Sequence, residues 1–358
     1  MPPRLPLLTV LLTIVATASA TLGAREPAPA RAEVRSAVLA RAQVWRPTAI
    51  PTVNILVGPG GPGAVAPHAT VHCDYVDKKL NGNSPKFECR LSQRDEVKVK
   101  YGGTNGEVYG ELLATRLLWA LGFGADAMYT VNVICRGCPA SFGGIERPGN
   151  ESRFDPALIE RKMAGAEWPP DGEGGWSWQE LAQTDPQRGG APKAHRDALT
   201  LLAVFMQHSD SKPQQQRIVC LGGLGAGNAC RRPFLMISDV GLTFGAASRA
   251  NANDLSGVNL ERWRGTRVWK DEPGCVGNLP KSFSGTLDDP VISEAGRRFL
   301  ANLLGQLSDA QIHGLFDAAR VNLRLRSPTE ALSGFAPVNE WVAAFKDKRT
   351  EILKRRCA

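Results

Sequence analysis

Cys73 and Cys89 lie at equal distances along the chain from Asn81, the first residue of an Asn-Gly pair. Asn-Gly is a strong signal for a tight hairpin turn, because both residues tolerate positive φ. The flanking stretches "ATVHCDYV" and "KFECRL" read as strands, so the expected unit is an antiparallel hairpin with its cysteines facing across it. Cys220 and Cys230 flank "LGGLGAGNA" in the same way and predict a second stapled loop. The chain holds eight cysteines, an even number that fits a set of disulfides. Cys135-x-x-Cys138 can be read as a redox pair or half a zinc site. No second C-x-x-C or nearby histidine pair accompanies it, and a structural disulfide partner is the expected role for each cysteine. Cys275 and Cys357 have no assigned partner at this level.

An oxidising destination follows from the first twenty residues. "MPPRLPLLTVLLTIVATASA" has one early positive charge, Arg4, a short apolar core, and Ala18-Ser19-Ala20 as an A-x-A cleavage site. The core is short and rich in Thr for a spanning helix, so a cleaved signal is expected and a retained anchor is the lesser alternative. The mature protein is expected to be periplasmic or extracellular, with no stable membrane span after cleavage. The formal net charge is +8, to which the leader contributes Arg4 alone. That diffuse excess favours anionic partners only weakly. No Lys/Arg block interleaved with aromatics is present, so no nucleic-acid partner is expected.

With 358 residues, the chain is long enough for one large domain or two medium ones. The expected division is a leader at 1–20, a flexible Ala/Pro/Arg-rich arm at 21–50, a β-rich part at 51–138 and a mainly helical part at 139–358. The β-rich part continues past the hairpin through "EVKVKYG" to one helix, "YGELLATRLLWALGFG", which Gly122 stops, and then to the buried strand "MYTVNVICRGC". Residues 137–193 are rich in Gly, Pro and Trp and read as a long connection. Trp176 and Trp178 there offer stacking surfaces, although packing is the expected role. Beyond it, "AHRDALTLLAVFMQ" and "SEAGRRFLANLLGQLSDAQIHGLFDAARV" carry helical apolar stripes. The fold class expected from this order is α+β.

Between the helix ending in "FMQ" and the strand "QRIVC" lies "HSDSKPQQQ", and after the next strand comes "ISDVGL". Each polar group has an ordinary reading: Asp210 and Lys212 as a solvated loop, Asp239 as a turn, Lys98 and Lys100 as the wet face of an edge strand, and Glu111 as a first-turn helix residue. Their joint order carries a resemblance. "VKVK" at a strand end resembles the V-A-I-K of protein kinases, and Glu111 sits where their helix glutamate pairs with that lysine. "HSDSKPQQ" resembles H-R-D-L-K-P-E-N, and "ISDVGL" resembles the D-F-G segment. The resemblance is to the divergent, secreted members of the protein-kinase-like superfamily.

It implies a bilobal fold, with a β-rich N-lobe holding one helix and a mainly helical C-lobe. It also implies phosphoryl transfer from ATP with Mg²⁺ or Mn²⁺ to a hydroxyl on a protein, glycan or small molecule. By the same resemblance, Asp210 orients or deprotonates the acceptor, and Lys212 neutralises the transferring group. Lys100, fixed by Glu111, holds the phosphates, with Lys98 as the other candidate on the same strand face. Asp239 and Gln215 hold the metal, and His208 braces the loop. Gly82, in "LNGNSPK", is the best-placed glycine for approach to the phosphates. Gln215 stands where the family has Asn, Val240 stands where it has Phe, and no clear glycine-rich loop or A-P-E is present. Two further functions stay open: an inactive kinase-like binding or scaffold protein, and AMP transfer by the same residues. His195-Arg196-Asp197 spells the kinase triplet literally. It falls within the apolar-striped helix, however, and is expected to be structural.

Overall fold

The computed structural model describes residues 28–82, 84–172, 175–245, 258–270, 274–282, 284–324 and 335–357. The expected leader lies outside them. The protein is a mixed α+β structure with two sheets. Strands β1 (Ala69–Val76), β2 (Lys86–Ser92) and β3 (Asp95–Tyr101) follow one another as antiparallel neighbours. Helix α2 (Gly106–Leu121) comes next, after the earlier helix α1 (Ala28–Arg41). After the short β4 (Gly124–Ala125), β5 (Ala127–Arg136) returns beside β1 in parallel. Beyond β6 (Ile145–Arg147), β7 (Glu151–Arg161) pairs with β5 on one side and β3 on the other.

That last pairing closes five strands into a ring, which leaves β3 with no free edge and corrects the edge-strand reading of Lys98 and Lys100. Alternation then sorts the side chains. Cys73, Phe87, Cys89, Val97, Val99, Val131, Val133, Cys135, Phe154 and Ile159 fill the ring as one apolar cluster. Lys86, Lys98, Lys100 and Glu160 alternate with these inward residues and belong to the outer wall.

The second sheet runs β4, β10 (Pro233–Ile237), β9 (Gln216–Cys220) and β8 (Ala166–Trp168). With α1, α2, α3 (Lys193–Met206), α4 (Leu260–Gly265), α5 (Glu294–Gly305), α6 (Asp309–Ala318) and α7 (Val338–Lys354), it surrounds a larger core. Phe205, Trp263, Phe316, Trp341 and Phe345 meet at its centre. Each such buried side chain contributes roughly 1.5–3 kcal/mol, enough to hold the loops that carry the polar residues below. No described helix is long and apolar enough to cross a membrane.

Two expected boundaries move. The arm at 21–50 is not flexible over its described part: α1 buries Val38 and Leu39 in the larger core, and Arg35 pairs with Glu180 at 2.8 Å. Alanine is the best helix former, and Pro29 falls in the first turn, where a missing N–H breaks no helix bond. The β-rich part does not end at 138 either. β7, inside the expected long connection, completes the ring.

All eight cysteines are paired. Cys73–Cys89 crosses β1 and β2 diagonally, since Cys89 stands opposite Tyr75. Cys220–Cys230 staples the β9–β10 hairpin. Cys135 closes on Cys138, and Cys275 ties down the chain end at Cys357. Four disulfides fit an oxidising, non-cytoplasmic compartment.

Candidate functional site

Lys100 sits at the centre of a buried cluster of charged groups. It leaves β3 on the outer face of the ring and is 4% exposed. Asn105 caps α2 by accepting from the Glu107 N–H, so Glu107 and Glu111 lie one turn apart on one helix face. Lys100 Nζ donates to Glu107 Oε2 at 2.8 Å and also to Glu111 Oε1. Burial opposes the Lys100 charge, but Glu111, Asp239 and Glu107 together hold the ammonium well above its usual range. One ammonium does not neutralise three carboxylates. Burial pushes Glu111 up to about 8, the Lys100 charge opposes that rise, and Asp239 and Glu107 add to it. Glu111 Oε2 is buried without a hydrogen-bond partner.

Asp239 follows β10 after one residue, Ser238. Burial works against its charge, yet Lys100 and the Gly241 N–H keep its carboxyl below the usual range. Its position is fixed from both sides. The N–H groups of Ser238 and Asp239 donate to Gln215 O, and the Ser238 hydroxyl donates to Asp126 at 3.2 Å. A Cβ on Gly241 would fall 2.6 Å from Glu107 Cγ, and one on Gly110 would fall 2.5 Å from Gly241 O. Only glycines at these two positions let α2 lie directly on the Asp239 segment.

The loop at 208–215 leaves α3 through Gln207, which takes the left-handed conformation at φ 55°. Asp210 Oδ2 accepts from Lys212 Nζ at 2.8 Å and from Gln215 Nε2 at 2.7 Å. The Ser209 N–H and hydroxyl reach Leu242 O, and the Leu287 N–H donates to Ser211 Oγ. Backbone bonds thus knit this loop to the Asp239 segment. His208 is fully buried beneath them, with no partner for either ring nitrogen. Burial lowers it to about 4, although Asp210 and Asp239 pull the other way, so it is a neutral packing group at pH 7.

The remaining sequence candidates have plain placements. Lys98 pairs with Glu160 at 2.7 Å rather than with Glu111. Burial resists the Glu160 charge, but Lys162 and Lys98 draw its carboxyl down to about 2. Gly82 has φ +87° beside Lys86, whose Nζ lies 2.8 Å from where a Gly82 Cβ would be. Trp176 and Trp178 are packed inside, with Trp176 Nε1 donating to Arg217 O and Met236 O. His195 and Asp197 join α3 to its surroundings: His195 packs on Trp45 and Phe299, and Asp197 accepts from the Ser293 N–H.

Two residues escaped the sequence reading. Glu107 shares the helix face of Glu111, and the four-residue spacing was a usable signal. Lys86 stands opposite Lys100 across β2 and β3. Burial and the Lys100 charge lower its pKa, while Glu107 and Asp239 pull it up. Only the strand register reveals it.

Asp239, Glu107 and Glu111 are oxygen donors of the kind a hard divalent cation takes, and one Glu111 oxygen is unpartnered. Among the described residues, however, the His, Cys, Asp and Glu groups drawn within metal-ligand reach of one another are Cys73, Cys89 and Cys135, which are held in disulfides. No family model matches the chain, and no curated protein matches it. Among solved structures it is similar to the proinflammatory kinase CtkA of Helicobacter pylori, at 11% identity and a TM-score of 0.44, over 80% of this chain and 99% of that one. A likeness of that size does not place the chain in a family.

Proposed function

We propose that this protein is an exported, kinase-like phosphotransferase of bilobal design that uses ATP with Mg²⁺ or Mn²⁺ to phosphorylate a hydroxyl on a protein, glycan or small molecule. The observation that carries the reading is the placement of Lys100 between Glu107 and Glu111 beside Asp239, with Asp210 on a loop bonded to that same segment. Phosphoryl transfer depends mainly on positioning and charge, and these are the groups it needs. Lys100, oriented by Glu111, holds the phosphates, with Lys98 and Lys86 adding positive charge from the outer wall. Gly82 leaves room for close approach at the turn. Asp239 and the Gln215 amide oxygen hold the metal, with the free Glu111 oxygen within the same charged cluster. A divalent cation held there would offset the negative charge of the phosphates. Asp210 receives the acceptor proton, and Lys212 swings from Asp210 to the transferring group. The four disulfides, with the leader-like Ala18-Ser19-Ala20, support the export part of this reading.

Incubation with γ-labelled ATP and Mg²⁺ or Mn²⁺ tests transfer, with autophosphorylation and casein as acceptors. Label in wild type and its loss by orders of magnitude in Asp210→Ala support the proposal. Label carried over from α-labelled ATP instead would make the reaction AMP transfer. A second reading is nucleotide binding without transfer. It is favoured by the single Asp210 oxygen that already accepts from both Lys212 and Gln215. Metal-dependent binding with no product from either label would establish it.

A further inference from the structure

A cavity of about 340 Å³ opens at the end of the second sheet where β9 ends and β10 begins, and its lining includes five arginines, Arg41, Arg46, Arg188, Arg231 and Arg232, with Trp45. No carboxylate lines it, and none of the five guanidinium groups is in an ion pair among the described residues. The whole chain has 43 Lys and Arg in 358 residues, about one in eight, so an evenly mixed lining of this size would hold one or two. Convergence of five like charges on one concave surface is unfavourable unless an anion meets them.

The walls are rigid. Residues 41–46 run along β10: the Gln43 N–H donates to Pro233 O, the Leu235 N–H donates to Gln43 O, and the Arg46 N–H donates to Gly122 O. Gln43 Nε2 holds the turn carrying Arg188 through Gly189 O at 2.6 Å. Arg41 is aimed by its bond to Cys230 O at 3.2 Å, beside the Cys220–Cys230 staple. Trp45 is set by its Nε1 bond to Leu121 O and by edge contacts with His195 and Phe299. Arg232 immediately precedes β10 and Asp239 follows it, so the cavity and the Lys100 site lie roughly 20 Å apart along one strand.

We infer that this cavity binds a compact polyanion bearing clustered phosphate or sulfate esters. Arginine forks take such oxyanions two bonds at a time, and the volume suits a ligand of one or two sugar rings, with Trp45 offering a flat wall. The site is independent of the proposed transfer chemistry.

Calorimetric titration of the full chain with inositol hexakisphosphate, and separately with a fully sulfated heparin disaccharide, tests it. Saturable binding of either probe is expected, and which of the two binds tighter identifies phosphate or sulfate as the preferred ester. Arg231→Ala/Arg232→Ala removes two exposed side chains and should weaken binding at least about tenfold. Arg94→Ala/Arg147→Ala makes the same charge change at exposed positions away from the cavity and should leave affinity within about twofold. Asp239→Ala, which disables the proposed nucleotide site, should leave it unchanged. Absence of saturable binding to both probes, or equal weakening by the two arginine pairs, would overturn the inference.

Discussion

Replacing Lys100 with Met removes the ammonium bonded to both Glu107 and Glu111 and leaves two carboxylates packed beside Asp239. Removing one partner of a buried ion pair costs about 3–5 kcal/mol, because the remaining charge keeps its desolvation penalty. The loss here depends on pH. Glu111 already titrates at about 8, above its unfolded value of 4.5. Its folded form therefore holds a proton that the unfolded form releases, and stability falls as pH rises between those values. Without Lys100 the Glu111 pKa rises further, so the Lys100→Met deficit should be clearly larger at pH 9 than at pH 6. Urea unfolding followed by tryptophan fluorescence at both pH values measures this, since a midpoint shift at constant slope reports stability. Lys100→Met/Glu111→Gln should recover much of the loss at pH 9 by removing both charges. Lys98→Met should cost less, because Glu160 keeps Lys162. A Lys100→Met deficit within about 0.5 kcal/mol, the range of an ordinary surface change, would refute the reasoning. So would a double variant no better than the single one.

His208 predicts an acid limb. Its folded pKa of about 4 lies below the ordinary 6.5, so stability is complete above 6.5 and declines as pH falls towards 4, by up to about 3 kcal/mol. His208→Phe should flatten the stability profile in that window, and an unchanged slope would show that His208 is not the group responsible. Cys275→Ser/Cys357→Ser opens a bridge spanning 82 residues, for which the chain-entropy relation gives about 4.5 kcal/mol. A thermal midpoint unchanged in the double serine variant would contradict that value. Gln215→Asn keeps an amide oxygen but no longer reaches Asp210, so metal-dependent nucleotide binding should persist while transfer slows. Equal loss of both, measured side by side, would remove the division of labour assigned to Gln215.

What the sequence disclosed was local. Cys73 and Cys89 were readable because Asn81-Gly82 sets their spacing, and α2 was readable because its apolar period ends at Gly122. Glu111, Asp210 and Asp239 each have an ordinary local reading, and only the joint order of the motifs, through the resemblance to protein kinases, singles them out. What escaped was register and closure. β7 carries Pro156 inside a Gly- and Pro-rich stretch, which demotes a strand on local grounds, yet it joins the ring across a register shift between Val131 and Val133. Lys86 reaches the charged cluster only because β2 sets it opposite Lys100. The Ala/Pro/Arg-rich composition before Arg41 predicts a loose segment. Its helix is held by tertiary contacts, with Leu39 buried and Arg35 tied to Glu180.

On the proposed reading, Asp239 belongs to a metal and nucleotide site while Asp210 serves the acceptor. Titration of wild type, Asp239→Ala and Asp210→Ala with ATP, first without metal and then with Mg²⁺ and Mn²⁺, tests it most directly. Wild type should show a metal-dependent component of binding that Asp239→Ala abolishes and Asp210→Ala retains. No metal-dependent binding in wild type, or the same binding in all three proteins, would contradict it.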